Sequence, residues 1–146
     1  MHDERKAFME KLQTDEELLN KLASNKPFWN SNLDAEKRYS ILPADKIYKG
    51  IKTPFVTVQL SSDNLIGTKL SDVFIYLRCY NRSDKTFVRI DDILSRVKVL
   101  MHDVRLEDYA ENAVNINVLY ETTGAELTDQ AYNLLFRESR YRILYL

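Results

Sequence analysis

Val73-Phe74-Ile75-Tyr76-Leu77-Arg78-Cys79-Tyr80, followed by the polar break Asn81-Arg82-Ser83-Asp84, is the stretch on which the fold turns. Period-two alternation sends Val73, Ile75, Leu77 and Cys79 to one side of a strand and Phe74, Tyr76, Arg78 and Tyr80 to the other. Downstream, Ile90, Leu94, Val97, Met101 and Val104 recur at 4-3-4-3 spacing, the apolar stripe of a helix that can lie on a sheet. Covering the aliphatic strand side with that stripe stabilises by roughly 1.5–3 kcal/mol for each Val, Ile or Leu fully buried. The aromatic side is neither an aliphatic core row nor a solvated polar one.

Working outward, residues 3–24 read as helix, with Phe8, Leu12, Leu19 and Leu22 near one side and Leu18 widening it. Thr14-Asp15-Glu16-Glu17 has the form of a capping box. Either a fresh helix begins at Thr14 or one helix runs through it with a bend. From Asn25 to Asp45 the pattern breaks, with Pro27 and Pro43 disfavouring helix before each and a short helical piece at Leu33–Tyr39. Lys46-Ile47-Tyr48 is a short strand candidate closed by Gly50, and Phe55–Leu60 is a β-rich run with Pro54 ahead of it. Leu106–Asn112 reads as a polar connector. Then Val114, Ile116, Val118 and Tyr120 alternate with Asn115, Asn117, Leu119 and Glu121 as a half-buried strand. Gln130–Leu146 has helical spacing at Ala131, Leu134, Leu135 and Glu138, but Tyr141, Ile143 and Tyr145 alternate with Arg140, Arg142 and Leu144. A terminal strand from Arg137 is the favoured reading. The order of elements predicts one α+β domain over 1–146. It is a mainly antiparallel sheet of about four to five strands packed against two helices, a single layer of helix on sheet.

Composition bounds the function. Lys+Arg is 21 against Asp+Glu 22, without the basic excess that phosphate neutralisation demands, so specific nucleic-acid binding is not expected. The single cysteine, Cys79, cannot form an internal disulfide and falls on the core side, which fits a reducing compartment. No apolar run approaches the ~18 residues of a membrane span, and Met1–Glu10 is too charged for a signal peptide. Nine tyrosines and six phenylalanines are a high aromatic load. Strand propensity and core filling account for it on one reading, a large subunit interface on the other.

Catalytic constellations are thin. His2 and His102 are the two histidines, and with one cysteine they make no zinc set. His102 beside Asp103 near a helix end reads better as a protonated helix cap than as a base with its orienting carboxylate. Asp91-Asp92 and Glu107-Asp108 are adjacent, so on a helix they diverge by about 100°. No nucleotide-binding, zinc-protease or nucleophile-elbow motif occurs. No catalytic residue, metal or cofactor is expected. A small hydrolase or transferase using His102 with Asp91 or Asp103 is the weakest alternative, and a monomeric or dimeric cytoplasmic adaptor or regulatory domain the stronger one.

The elements recur in a telling order: Leu12-x-x-Asp15-x-x-Leu18-Leu19, Lys46-Ile47-Tyr48, Thr53-Pro54-Phe55-Val56-Thr57-Val58, Val73–Tyr80, a helix with Ile90, Ile93, Leu94, Val97 and Leu100, and a terminal Arg140-Tyr141-Arg142-Ile143. Spread over most of the chain, this resembles the tail terminator and tail-completion proteins of long-tailed bacteriophages, the lambda-type terminators among them. The resemblance implies a non-enzymatic homohexameric ring of the virion tail, assembled in the host cytoplasm. It would cap the tail tube protein, stop its polymerisation and offer a surface to the head-tail connector protein. DNA would only pass through the lumen. On that reading Phe74, Tyr76, Tyr80, Tyr141 and Tyr145 are candidate protomer contacts. Phe28, Trp29, Asp63, Asn64 and Lys69 are candidates for a partner-docking or lumen loop.

Overall fold

A computed structural model describes residues 4–22, 40–47, 50–62, 73–107 and 115–145. Phe28, Trp29, Asp63, Asn64, Lys69, the Leu33–Tyr39 piece, Tyr48 and His2 lie outside the described residues. The described elements are helices α1 (Glu4–Gln13), α2 (Glu16–Lys21) and α3 (Val88–Met101), with a 3-10 turn at Ala44–Lys46. The strands are β1 (Ile41–Pro43), β2 (Phe55–Ser62), β3 (Val73–Arg82), β4 (Val104–Glu107), β5 (Asn115–Thr123), β6 (Leu127–Asp129) and β7 (Leu134–Tyr145). They form a single sheet in the order β1-β2-β3-β7-β5-β4, with β6 pairing β7 off that path.

The expected four to five antiparallel strands against two helices is therefore corrected to seven strands and three helices among the described residues. The sheet is mixed, because β1 runs parallel to β2. The added strands β1, β4 and β6 hold three or four residues each, too few for alternation to show. The described part of Lys46-Ile47-Tyr48 forms no strand: Lys46 ends the 3-10 turn, Ile47 follows it as the cap, and the pairing residues lie upstream at Ile41–Pro43. Pro43 closes that short edge strand, where a missing amide costs least. The supposed connector at Leu106 begins inside β4, and β7 starts at Leu134, overturning the helical alternative there.

Two local devices set the helix layer. Asp15, one residue later than the expected Thr14, caps α2 by accepting from the Leu18 amide at 2.9 Å, while the Thr14 hydroxyl donates back to Lys11 O at 2.7 Å. The N-terminal pattern thus splits into two helices. At the other end, the His102 amide bonds Lys98 O, and Asp103 adopts φ 55, the left-handed turn that Asp tolerates. That turn sends Val104 into β4 instead of continuing the helical stripe.

The main core joins Phe8 and Leu12 of α1, Leu18 of α2, and Ile90, Ile93, Val97 and Met101 of α3 to the aliphatic side of the sheet. Ile75, Leu77 and Cys79 of β3 are fully covered there, and burial pushes the Cys79 thiol well up from its ordinary value. A second, smaller core forms on the opposite side of the sheet, where Tyr80 stacks on Phe55 at 4.9 Å and meets Phe136 at 5.2 Å. Leu42, Ile51 and Leu134 complete it. Among the described residues the sheet is thus clad on one face and at one end of the other. Among the described residues no helix is long and apolar enough to cross a membrane.

Asp15 also clamps α2 to α3. Arg96 donates from Nε and Nη2 to its two oxygens at 2.9 and 2.8 Å, and the Asp15 and Arg96 side chains are 16% and 24% exposed. The Arg96 bonds hold the Asp15 carboxyl below its ordinary value of 3.8, against an opposing push from partial burial, with the Leu18 amide adding to the lowering. Asp15→Ala should cost about 2–3 kcal/mol in a urea titration, the sum of a lost cap and the two lost bonds from Arg96, which keeps Glu17 at 3.0 Å. A carboxyl with a depressed folded pKa contributes its stability above its unfolded pKa and loses it as pH falls through the folded value. Asp15→Asn should flatten that acid limb below about pH 4, as read from unfolding midpoints across the acid range.

Candidate functional site

The side of the sheet turned away from the helices carries the candidate site. Register places Phe74 opposite Arg142, Tyr76 opposite Arg140, Arg78 opposite Glu138 and Tyr80 opposite Phe136 along the β3–β7 pair. On β2, Ser61, Gln59 and Thr57 face the first three of these β3 residues. On β5 a bulge between Tyr120 and Thr122 resets the alternation. It leaves Glu121 beside both β7 arginines, at 2.9 Å from Arg140 Nε and 3.0 Å from Arg142 Nε.

These groups order one another. The Arg140 and Arg142 guanidinium carbons lie 5.0 and 5.8 Å from the Phe74 ring centroid, within cation–π range. Arg78 lies 4.8 Å from the Phe136 centroid, donates from Nε to Glu138 at 2.6 Å, and reaches the Tyr80 hydroxyl at 3.4 Å. Burial lowers the proton affinity of Arg78, but the bonds to Tyr80 and Glu138 outweigh it and raise it overall. The Arg78–Glu138 pair separates two hollows. One, of about 200 Å3, is lined by Tyr76, Tyr132, Asp129 and Glu138 among others. The other, of about 210 Å3, lies among Arg140, Thr122, Phe136 and Leu127. Leu127 remains 49% exposed at its rim. Such a face presents rigid rings, fixed cations and shallow sockets, a composition suited to a protein partner.

The five candidate contact residues separate. Phe74 and Tyr76 stand half-buried on this outer face. Tyr80 shares the face but is spent in the second core, 4% exposed. Tyr141 is corrected outright, since it lies opposite Ile75 and fills the helix-side core, edge-on to Phe8 at 5.4 Å and to Tyr120 at 5.5 Å. Burial drives its phenol pKa strongly up. Tyr145, 58% exposed, ends β7 on that same helix side, where partial burial and then Glu4 raise its phenol. Arg140, Arg142, Glu121 and Glu138 join Phe74 and Tyr76 on the outer face. Their signal was the Arg140-x-Arg142 alternation, which marks a face but not the strand it will lie beside.

The groups of the hydrolase alternative are each engaged elsewhere. His102 Nδ1 accepts from the Tyr120 amide at 3.2 Å, which ties the end of α3 to β5. Asp103 accepts from Asn117 at 3.0 Å, Asp91 from Arg137 at 2.7 Å, and Asp92 from Lys21 at 2.8 Å.

The two outer-face tyrosines should behave differently on truncation. Tyr80→Ala removes a ring stacked on Phe55 and tilted against Phe136 and should cost about 3–5 kcal/mol in chemical denaturation, whereas Tyr76→Ala should cost about 1 kcal/mol or less.

Among known proteins, no family model and no curated protein matches this chain. A chain of solved structure, carrying no functional description, superposes with a TM-score of 0.49 at 6% identity, over 75% of this chain and 82% of that one.

Proposed function

We propose that this chain is a structural subunit of a long-tailed phage tail, a terminator of the lambda type. In this reading it forms a homohexameric ring that caps the completed tube, halts its polymerisation and presents a surface for the head-tail connector. DNA passes the lumen without being gripped.

The observation that supports this reading best is the outer sheet face. Phe74 and Tyr76 remain half-buried among Arg78, Arg140 and Arg142, and Glu121 and Glu138 hold those cations in place. Side chains already fixed by neighbours lose little entropy on docking, so more of the contact energy remains for binding. A patch on one subunit meeting a different patch on the next closes into a ring when the rotation permits. The near-neutral chain, at net charge -1, suits a lumen through which DNA slides.

Tube protein polymerised with the wild-type chain should give tubes of bounded length with a ring at one end. Tyr76→Asp removes the ring and puts a hydrated carboxylate where the neighbouring subunit would cover it, and should leave tubes growing as if no cap were added. Normal capping by Tyr76→Asp would remove the outer face from the mechanism.

A further inference from the structure

The sheet ends at β4, and its outer edge meets no other described strand. An edge strand leaves the amides and carbonyls of alternate residues pointing away from the sheet, a template for another extended segment. Beside it runs a groove of about 580 Å3 between α1 and β4, lined by Glu10 and Lys11 of the helix and by Arg105, Leu106 and Glu107 of the strand. Leu106 is 6% exposed and joins the main core, while Arg105 and Glu107 lie on the opposite side of the strand, 2.6 Å apart.

We infer that β4 pairs antiparallel with β4 of a second copy about a two-fold axis at Leu106, making one continuous sheet from two subunits. Charge selects both the occupant and the register. With Leu106 opposite its own copy, Arg105 of each chain faces Glu107 of the other, and the charges alternate across the axis. A shift of one place on each strand in either direction sets Arg105 against Arg105 or Glu107 against Glu107, and like charges directly opposed are destabilising. Pairings with the other parity put the two helix layers on opposite faces of the joined sheet. In the chosen register the helix layers share one side. The two α1 helices then approach across the groove, where Glu10 and Lys11 of one copy meet Lys11 and Glu10 of the other. The contact lies at the β4 edge, with β7 and β5 between it and Phe74 and Tyr76 on β3, so it stands or falls independently of the proposed function.

The test uses two full-length variants and their mixture. Arg105→Glu alone and Glu107→Arg alone each set like charges across the axis twice, and dimerisation should weaken roughly tenfold or more by sedimentation velocity. Mixed, the two restore opposite charges at both crossings, and a one-to-one heterodimer of wild-type affinity should form. The pair within each chain stays broken in both variants, so a merely structural role of Arg105 and Glu107 cannot produce that rescue. Carrying Tyr76→Asp in every chain leaves the sheet edge as the contact being read. A wild-type chain that remains monomeric, variants that dimerise like wild type, or a mixture that stays monomeric overturns the inference.

Discussion

The pairing of β3 with β7 is the constraint from which the rest follows. It runs from Val73↔Ile143 to Arg82↔Leu134, and it places the C-terminal strand between the two halves of the sheet. Without β7, the β1-β2-β3 group and the β5-β4 pair share no ladder. The ladder also decides the fate of each side chain, because directly opposed residues share a face. Ile75 with Tyr141 goes to the helices, and Tyr76 with Arg140 goes to the outside. One pairing thus builds both the core and the candidate site.

The helix layer is fastened to that sheet by apolar burial and by a few charged anchors at its margins. Arg96 ties the cap of α2 to α3, and Arg137 reaches Asp91 while donating to Gly124 O at 3.0 Å, tying the start of α3 to the β5–β6 turn. Lys21 to Asp92 joins the end of α2 to the same helix. The carboxylates most open to a catalytic reading are therefore the ones that hold helices in place. On the far side, the second core around Phe55, Tyr80 and Phe136 seals one end of the sheet and leaves the Phe74–Arg142 end to its own cations.

Long, strongly patterned elements were legible in the sequence. The alternation of Val73 to Tyr80, the stripe Ile90, Leu94, Val97 and Met101, and the alternation at Ile116 to Tyr120 all describe what the chain forms. Short strands were not, since Ile41–Pro43 and Leu127–Asp129 have no room for a period. Register was not legible either. Tyr141 and Tyr145 alternate convincingly, but only the partner strand reveals that their side is the helix side, and that places Tyr141 in the core. Val104 fits the helical stripe, yet the left-handed Asp103 redirects the chain before it. In each case a longer-range contact or a single backbone angle outweighed a local pattern.

We propose that another copy of this chain covers the outer face at Phe74 and Tyr76. Tyrosine-selective chemical modification, read by mass spectrometry over a range of protein concentrations, tests it most directly. Tyr76 should react in dilute solution and become protected as assembly proceeds, with Tyr80 and Tyr141 unreactive throughout and Tyr145 unchanged. Reactivity at Tyr76 that is the same at every concentration would contradict that proposal.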